Sequence, residues 1–136
     1  MSSINLTGAL IAGPSSGGET FPGSSLTVPL SFVDGAKTAG AATGILTKTV
    51  ASPSPAYAAL SGVGPAETVT QGSFLYFKGR GSFVLRLTTD DGSGGTVVTM
   101  VPVQGMLMIE FPTIRALELL EVQGSGLIEY FVSGAT

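Results

Sequence analysis

The sequence predicts an antiparallel all-β domain of two packed sheets. Three observations carry that reading. Turn-forming residues recur about every 8 to 12 positions along the 136 residues. Between them lie short runs in which apolar and polar side chains alternate with a period of two, the pattern of strands with one face buried. No stretch sustains a helical period over a useful length.

The elements follow in chain order. Residues 4–11 form an apolar patch. Residues 13–25 are rich in Gly, Pro and Ser and contain Phe21-Pro22, a lone aromatic in a polar segment. It either plugs the domain's own core or belongs to an extended arm that lies on a neighbouring subunit. The clearest strand is 26–33, with Leu26, Val28, Leu30 and Phe32 on one face and Pro29 on the other, which makes it an edge or bulged strand. Residues 36–43 are small and read as flexible. A strand over 44–50 precedes a long crossover loop over 51–65, which holds Pro53, Pro55 and Tyr57.

The second half is denser. Strands are expected at 67–71 and 73–78, with 67–78 able to form one element. In 73–78 the pairs Phe74/Tyr76 and Leu75/Phe77 cover both faces. Gly79-Arg80-Gly81 reads as a tight turn into 82–89, where Phe83, Leu85 and Leu87 share a face. A loop over 89–95 leads to 96–103. Gln104-Gly105 turns or bulges the chain into 106–111, with Leu107, Ile109 and Phe111 inward and Glu110 outward. A closing hairpin is expected from 114–123 through Gly124-Ser125-Gly126 to 127–132. Residues 115–121 contain good helix formers. They are bounded by Pro112 and Gly124, too close for a stable helix, so they read as strand, and adjacent Leu119 and Leu120 mark a bulge. Eight or nine strands fit a single sandwich domain over 1–136, of jelly-roll type, with an immunoglobulin-like sandwich as the alternative.

Composition restricts function. The chain has no His, no Cys and no Trp, and 15 Asp, Glu, Lys and Arg residues, 11% of the total against an average near 25%. A chain this poor in charge has trouble covering its own exterior, so part of that exterior is expected against a neighbouring subunit, in a homo-oligomer or a larger assembly. Ser-His-Asp and Cys nucleophiles are excluded, and no Ser-x-x-Lys spacing supports a dyad with Lys37, Lys48 or Lys78. Glu110, Glu118, Glu121 and Glu129 could supply the carboxylate pair of a glycosidase, but each reads more simply as an outward position on a strand. Asp90-Asp91-Gly92-Ser93 lacks the alternate ligands and closing Glu of a calcium loop and reads as a turn. No cofactor or metal is expected.

The six basic residues, Lys37, Lys48, Lys78, Arg80, Arg86 and Arg115, are scattered on a chain of net charge −3, which argues against nucleic acid as a partner. Residues 97–111 are apolar but alternate with period two, so no membrane-spanning helix is expected. The N-terminal patch has no basic residues ahead of it, so no secretion signal is expected.

The run LELLEVQGSGLIEYFVSG, residues 117–134, resembles the closing hairpin of small β-sandwich virion proteins of tailed bacteriophages. The Gly-, Ala-, Ser- and Thr-rich, Cys-free composition is similar to that of their capsid decoration, or cement, proteins. The resemblance implies a non-enzymatic protein on the capsid exterior, made in the host cytoplasm, that bridges major capsid subunits. Tail, neck and head-fibre proteins share these features, and a carbohydrate- or receptor-binding module is the alternative from another class. The expected interface residues are Phe21, Pro22, Pro53, Pro55 and Tyr57.

Overall fold

The computed structural model describes residues 41–136 with their side chains, and residues 2–12 and 26–39 by their strand path. The chain divides into two compact units, 2–37 and 38–136. In the first, β1 (Ser2–Ala12) and β2 (Leu26–Ala39) form a two-stranded sheet. Residues 36–39, expected to be flexible, belong to β2. The expected arm at 13–25, with Phe21 and Pro22, lies outside the described residues.

The second unit is an antiparallel sheet. Its strands are β3 (Ala41–Ala42), β4 (Leu46–Ser52), β5 (Ala58–Ala59), β6 (Gln71–Asp90), β7 (Thr96–Glu110) and β8 (Leu117–Ala135). β8 pairs with β6, and β6 pairs with β7. Along the other edge of β8 the three short strands lie end to end: β5 against 121–122, β4 against 124–130 and β3 against 133–134. Thus 51–65 is not a bare loop: its first residues complete β4, and Ala58–Ala59 return to the sheet. It also delivers Leu60 and Val63 to the core, each 1% exposed. The strand expected at 67–71 is absent apart from its end. Gly62 and Gly64 turn the chain at positive φ, and only Val69 bridges, to Val63, before β6 starts at Gln71.

The main departure from the sequence reading concerns the glycine corners. Gly79-Arg80-Gly81 and Gly124-Ser125-Gly126 do not end strands, and Gln104-Gly105, read as a turn or a bulge, lies inside β7 opposite a register shift. Each is a corner inside a long strand, so the expected closing hairpin is the single strand β8. The corners coincide across the sheet. Lys78 pairs with Met106 and Ser82 with Gln104, so residues 79–81 stand opposite Gly105 alone. Gly79 pairs with Ile128 and Val84 with Gln123, which brings 124–126 to the same line. Gly81, Gly105, Gly124 and Gly126 have φ of +116°, +92°, +138° and +138°, backbone that favours glycine.

Bent on this line, one sheet curls back and encloses its own core. Phe77 and Phe83 meet edge to face across the corner, ring centroids 5.8 Å apart. Leu75, Leu85, Leu120, Val122, Ile128, Tyr130 and Val132 complete the interior, all at most 1% exposed. At the far end Gly72 pairs with both Gly134 and Leu117, so the two ends of the β6–β8 ribbon meet. The pairings of this unit therefore build its layers from one folded sheet. The facing of individual residues follows the predicted alternation: Phe83, Leu85 and Leu87 are buried, and Met106, Met108 and Glu110 point out. The 115–121 segment resolves into a 3-10 turn at Thr113–Arg115 followed by β8. The bulge expected at Leu119 and Leu120 lies instead at Glu118: Thr88 pairs with Leu119 and Thr89 with Leu117, which buries both Leu117 and Leu120, while half-buried Leu119 keeps the ordinary alternation.

Candidate functional site

Outward positions of β6 and β8 carry the polar chemistry of the sheet. Arg86 and Glu121 are cross-strand partners. The Arg86 Nε donates to Glu121 Oε1 at 2.9 Å, and its Nη2 to Oε2 at 2.5 Å, a two-point ion pair. The Tyr57 ring lies over the guanidinium, 4.3 Å from its carbon to the ring centroid. The hydrogen bonds that Arg86 donates to Glu121 hold the Arg86 pKa above its ordinary value against the opposing effect of burial. Near the other end of the ribbon, Tyr76 Oη donates to Glu129 Oε1 at 3.0 Å. Burial first, and then the bond to Glu129, push the Tyr76 phenol up.

Of the expected interface residues, Pro53 and Pro55 are exposed, and half-buried Tyr57 is the one that stacks on Arg86. Glu121 and Glu129 face partners on the sheet rather than a common substrate. Glu110 is exposed and Glu118 half-buried. Buried Tyr130 donates to the Ser61 carbonyl at 2.8 Å, which satisfies its hydroxyl.

The Asp90–Asp91 segment is a self-capped hairpin tip. Asp91 Oδ1 accepts from the Ser93 and Gly95 amides at 2.8 and 2.9 Å, and Asp90 Oδ1 from the Gly92 amide at 2.7 Å. The backbone N–H of Ser93, then that of Gly95, hold the Asp91 carboxyl below its usual range. These oxygens are used as turn caps. Among the described residues no group of three or more Asp or Glu could hold a metal ion, and no helix is long and apolar enough to cross a membrane.

At the corner lies a cavity of about 440 Å³, lined by Ser54, Ser82, Gln104 and Gln123 above Phe83, Val84, Pro102 and Val103. Its lining carries no ionisable side chain. Ser82 Oγ donates to Gln104 Oε1 at 3.4 Å. Such a cavity can hold a neutral polar group and offers no acid, base or nucleophile pair.

The feature that residue-type reasoning passed over is β7. Val97, Val98, Met100 and Met106 are 43 to 56% exposed and Met108 is 36% exposed. Ile45, Ile114 and Leu127 add exposed apolar surface elsewhere. The signal was present in the sequence: residues 96–109 contain no charge, so an outward apolar row was implied by the alternation. No family model, curated protein or solved structure matches the chain.

Proposed function

We propose that this chain is a virion structural protein that works by adhesion, a capsid decoration protein bridging major capsid subunits on the outer shell. The observation that carries the reading is the apolar row on β7, which leaves Val98, Met100 and Met106 more than half exposed. Combined with 15 charged side chains in 136 residues, this is a surface suited to burial against other protein. The closing-hairpin pattern is not among the supports, since 117–135 is one strand. Arg86 is paired with Glu121 and Tyr76 with Glu129, so these side chains of the sheet are engaged in structural contacts. The chain's partners are major capsid protein or other virion proteins and further copies of itself. The finer fold, a jelly-roll sandwich, belongs to the same proposal.

Quantitative mass spectrometry of purified particles tests it. Hundreds of copies per virion support a head lattice, and a dozen or fewer move the protein to the tail, neck or a fibre. Absence from the particle overturns the reading. The neutral, hydroxyl- and amide-lined corner cavity favours one second reading, a carbohydrate-binding module. Glycan-array binding lost on Gln123→Ala would establish it in place of the first.

A further inference from the structure

β7 has one strand neighbour, β6, and its opposite edge faces no strand among the described residues. Exposed edges normally carry devices that discourage pairing: charge, proline, bulges. On β7 these are distributed unevenly. The half from Pro102 onward has them all. Pro102 lacks an N–H, Gly105 kinks the strand at φ +92°, three residues of β6 bulge against it, and Glu110 closes it with a charge. Residues 96–101, Thr-Val-Val-Thr-Met-Val, have none. Five of these six side chains are β-branched, and the segment is exposed on both faces, Val97 at 43% and Val98 and Met100 at 52% each. By itself such a segment is an aggregation hazard, which a finite, self-limiting contact removes.

We infer that residues 96–101 pair antiparallel with the same residues of a second copy of this chain, extending the sheet across a two-fold axis. The charge pattern points to a second copy as the occupant. In a two-fold contact, residues near the axis meet their own counterparts, so any ionisable side chain there meets a like charge. No residue from 96 to 109 is ionisable, and β7 satisfies that condition along 14 positions. Antiparallel pairing supplies the symmetry, because two identical strands placed so that one residue faces its own copy are related by a two-fold. Val98 and Met100 of each copy then cover each other on one face, and Val97 on the other. A six-residue strand pair lies at the small end of specific interfaces, so the dimer forms in a concentration-dependent way. The inference deepens the adhesive reading but fails separately from it. A protein missing from virions can still dimerise, and a monomer in solution can still decorate a capsid.

The chain contains no cysteine, so one introduced thiol is an unambiguous reporter. Across a two-fold near the middle of the segment, residue 98 or 99 opposes its own copy at a Cα separation of about 4.5–5.5 Å, within disulfide range. Under mild oxidation, Val98→Cys or Thr99→Cys is expected to cross-link to covalent dimer at least 5-fold faster than Ile45→Cys, a more exposed position in the bend before β4. In sedimentation equilibrium the unmodified protein is expected to dimerise by about 100 µM. Val98→Lys, a substitution at an exposed site that keeps the tyrosine signal of the folded sheet, is expected to weaken the dimer at least 10-fold. A wild-type monomer at that concentration overturns the inference. So does a dimer indifferent to Val98→Lys, or cross-linking no faster than at residue 45.

Discussion

The corner that folds the sheet rests on Phe83 lying between two glycines, and this can be taken apart quantitatively. A Cβ built on Gly79 would stand 2.6 Å from Phe83 Cε2 and 2.8 Å from Cδ2. One built on Gly124 would stand 2.6 Å from Phe83 Cδ1 and 3.1 Å from the Ser82 carbonyl oxygen, and Gly124 also has φ +138°. Gly81 has φ +116° but meets nothing within 4 Å. Three alanine substitutions therefore separate two costs. Gly81→Ala adds backbone strain alone, about 1–2 kcal/mol. Gly79→Ala adds overpacking alone, about 1–3 kcal/mol, because Phe83 is 2% exposed and braced against Phe77. Gly124→Ala adds both, roughly 2–5 kcal/mol, a large share of the total stability of a domain. With a urea slope near 2 kcal/mol/M, Gly124→Ala is expected to lower the unfolding midpoint by about 1–2.5 M. All three tyrosines lie in the 38–136 unit, so tyrosine fluorescence follows it. In the double variant with Phe83→Leu, which removes part of the ring, the combined loss should fall short of the sum by about 1 kcal/mol or more. The reasoning is wrong if Gly124→Ala costs no more than Gly81→Ala, or if the Phe83 coupling is absent.

Other expectations follow from the same geometry. Arg86→Ala leaves Glu121, 15% exposed, without its partner and should lower the urea midpoint; Arg86→Lys should recover less than half of that loss, since the ammonium lacks the fork and the flat face under Tyr57, and full recovery in urea unfolding contradicts this. Asp91 is held below the ordinary carboxylate pKa of 3.8, so its capping contribution is complete above that pH and disappears as pH falls through the lowered value. The Ser93 and Gly95 amide shifts should report that midpoint below 3.8, and a midpoint at or above it counts against the caps. Ser133 Oγ is buried without a hydrogen-bond partner, so Ser133→Ala should be neutral or stabilise by up to about 1 kcal/mol; thermal melting that shows a clear loss refutes this. Ala66 sits at φ +65° two residues after Gly64, whose carbonyl accepts from the Glu67 amide in a turn that suits glycine there, and Ala66→Gly should gain about 0.5–1 kcal/mol by urea titration.

Local pattern alone was enough for the strand class, the shared face of Phe83, Leu85 and Leu87, and the tip at Asp90–Asp91. These depend on period-two alternation and on short-range side-chain capping, both written in neighbouring residues. The bulge was legible only as a region: Leu119 and Leu120 alternate normally, and the extra residue is Glu118, set by the pairing of 117 and 119 with β6. The Arg86–Glu121–Tyr57 cluster was not, because its members are 29 to 64 positions apart and meet only through register. The apolar row of β7 was readable as uncharged sequence, but its exposure depended on which strand would lie at the edge.

The glycines mark the boundary between the two kinds of knowledge. A sequence shows that Gly79, Gly81, Gly105, Gly124 and Gly126 permit unusual backbone, and it therefore determined where the chain would change direction. Whether a permitted change becomes a turn that ends a strand or a bend that strand pairing crosses depends on what lies alongside. Here the three corners fall in register, and the backbone bonds on both sides of the line hold the strands continuous. Only that long-range alignment decided that one sheet would fold over on itself, and no single segment contains it.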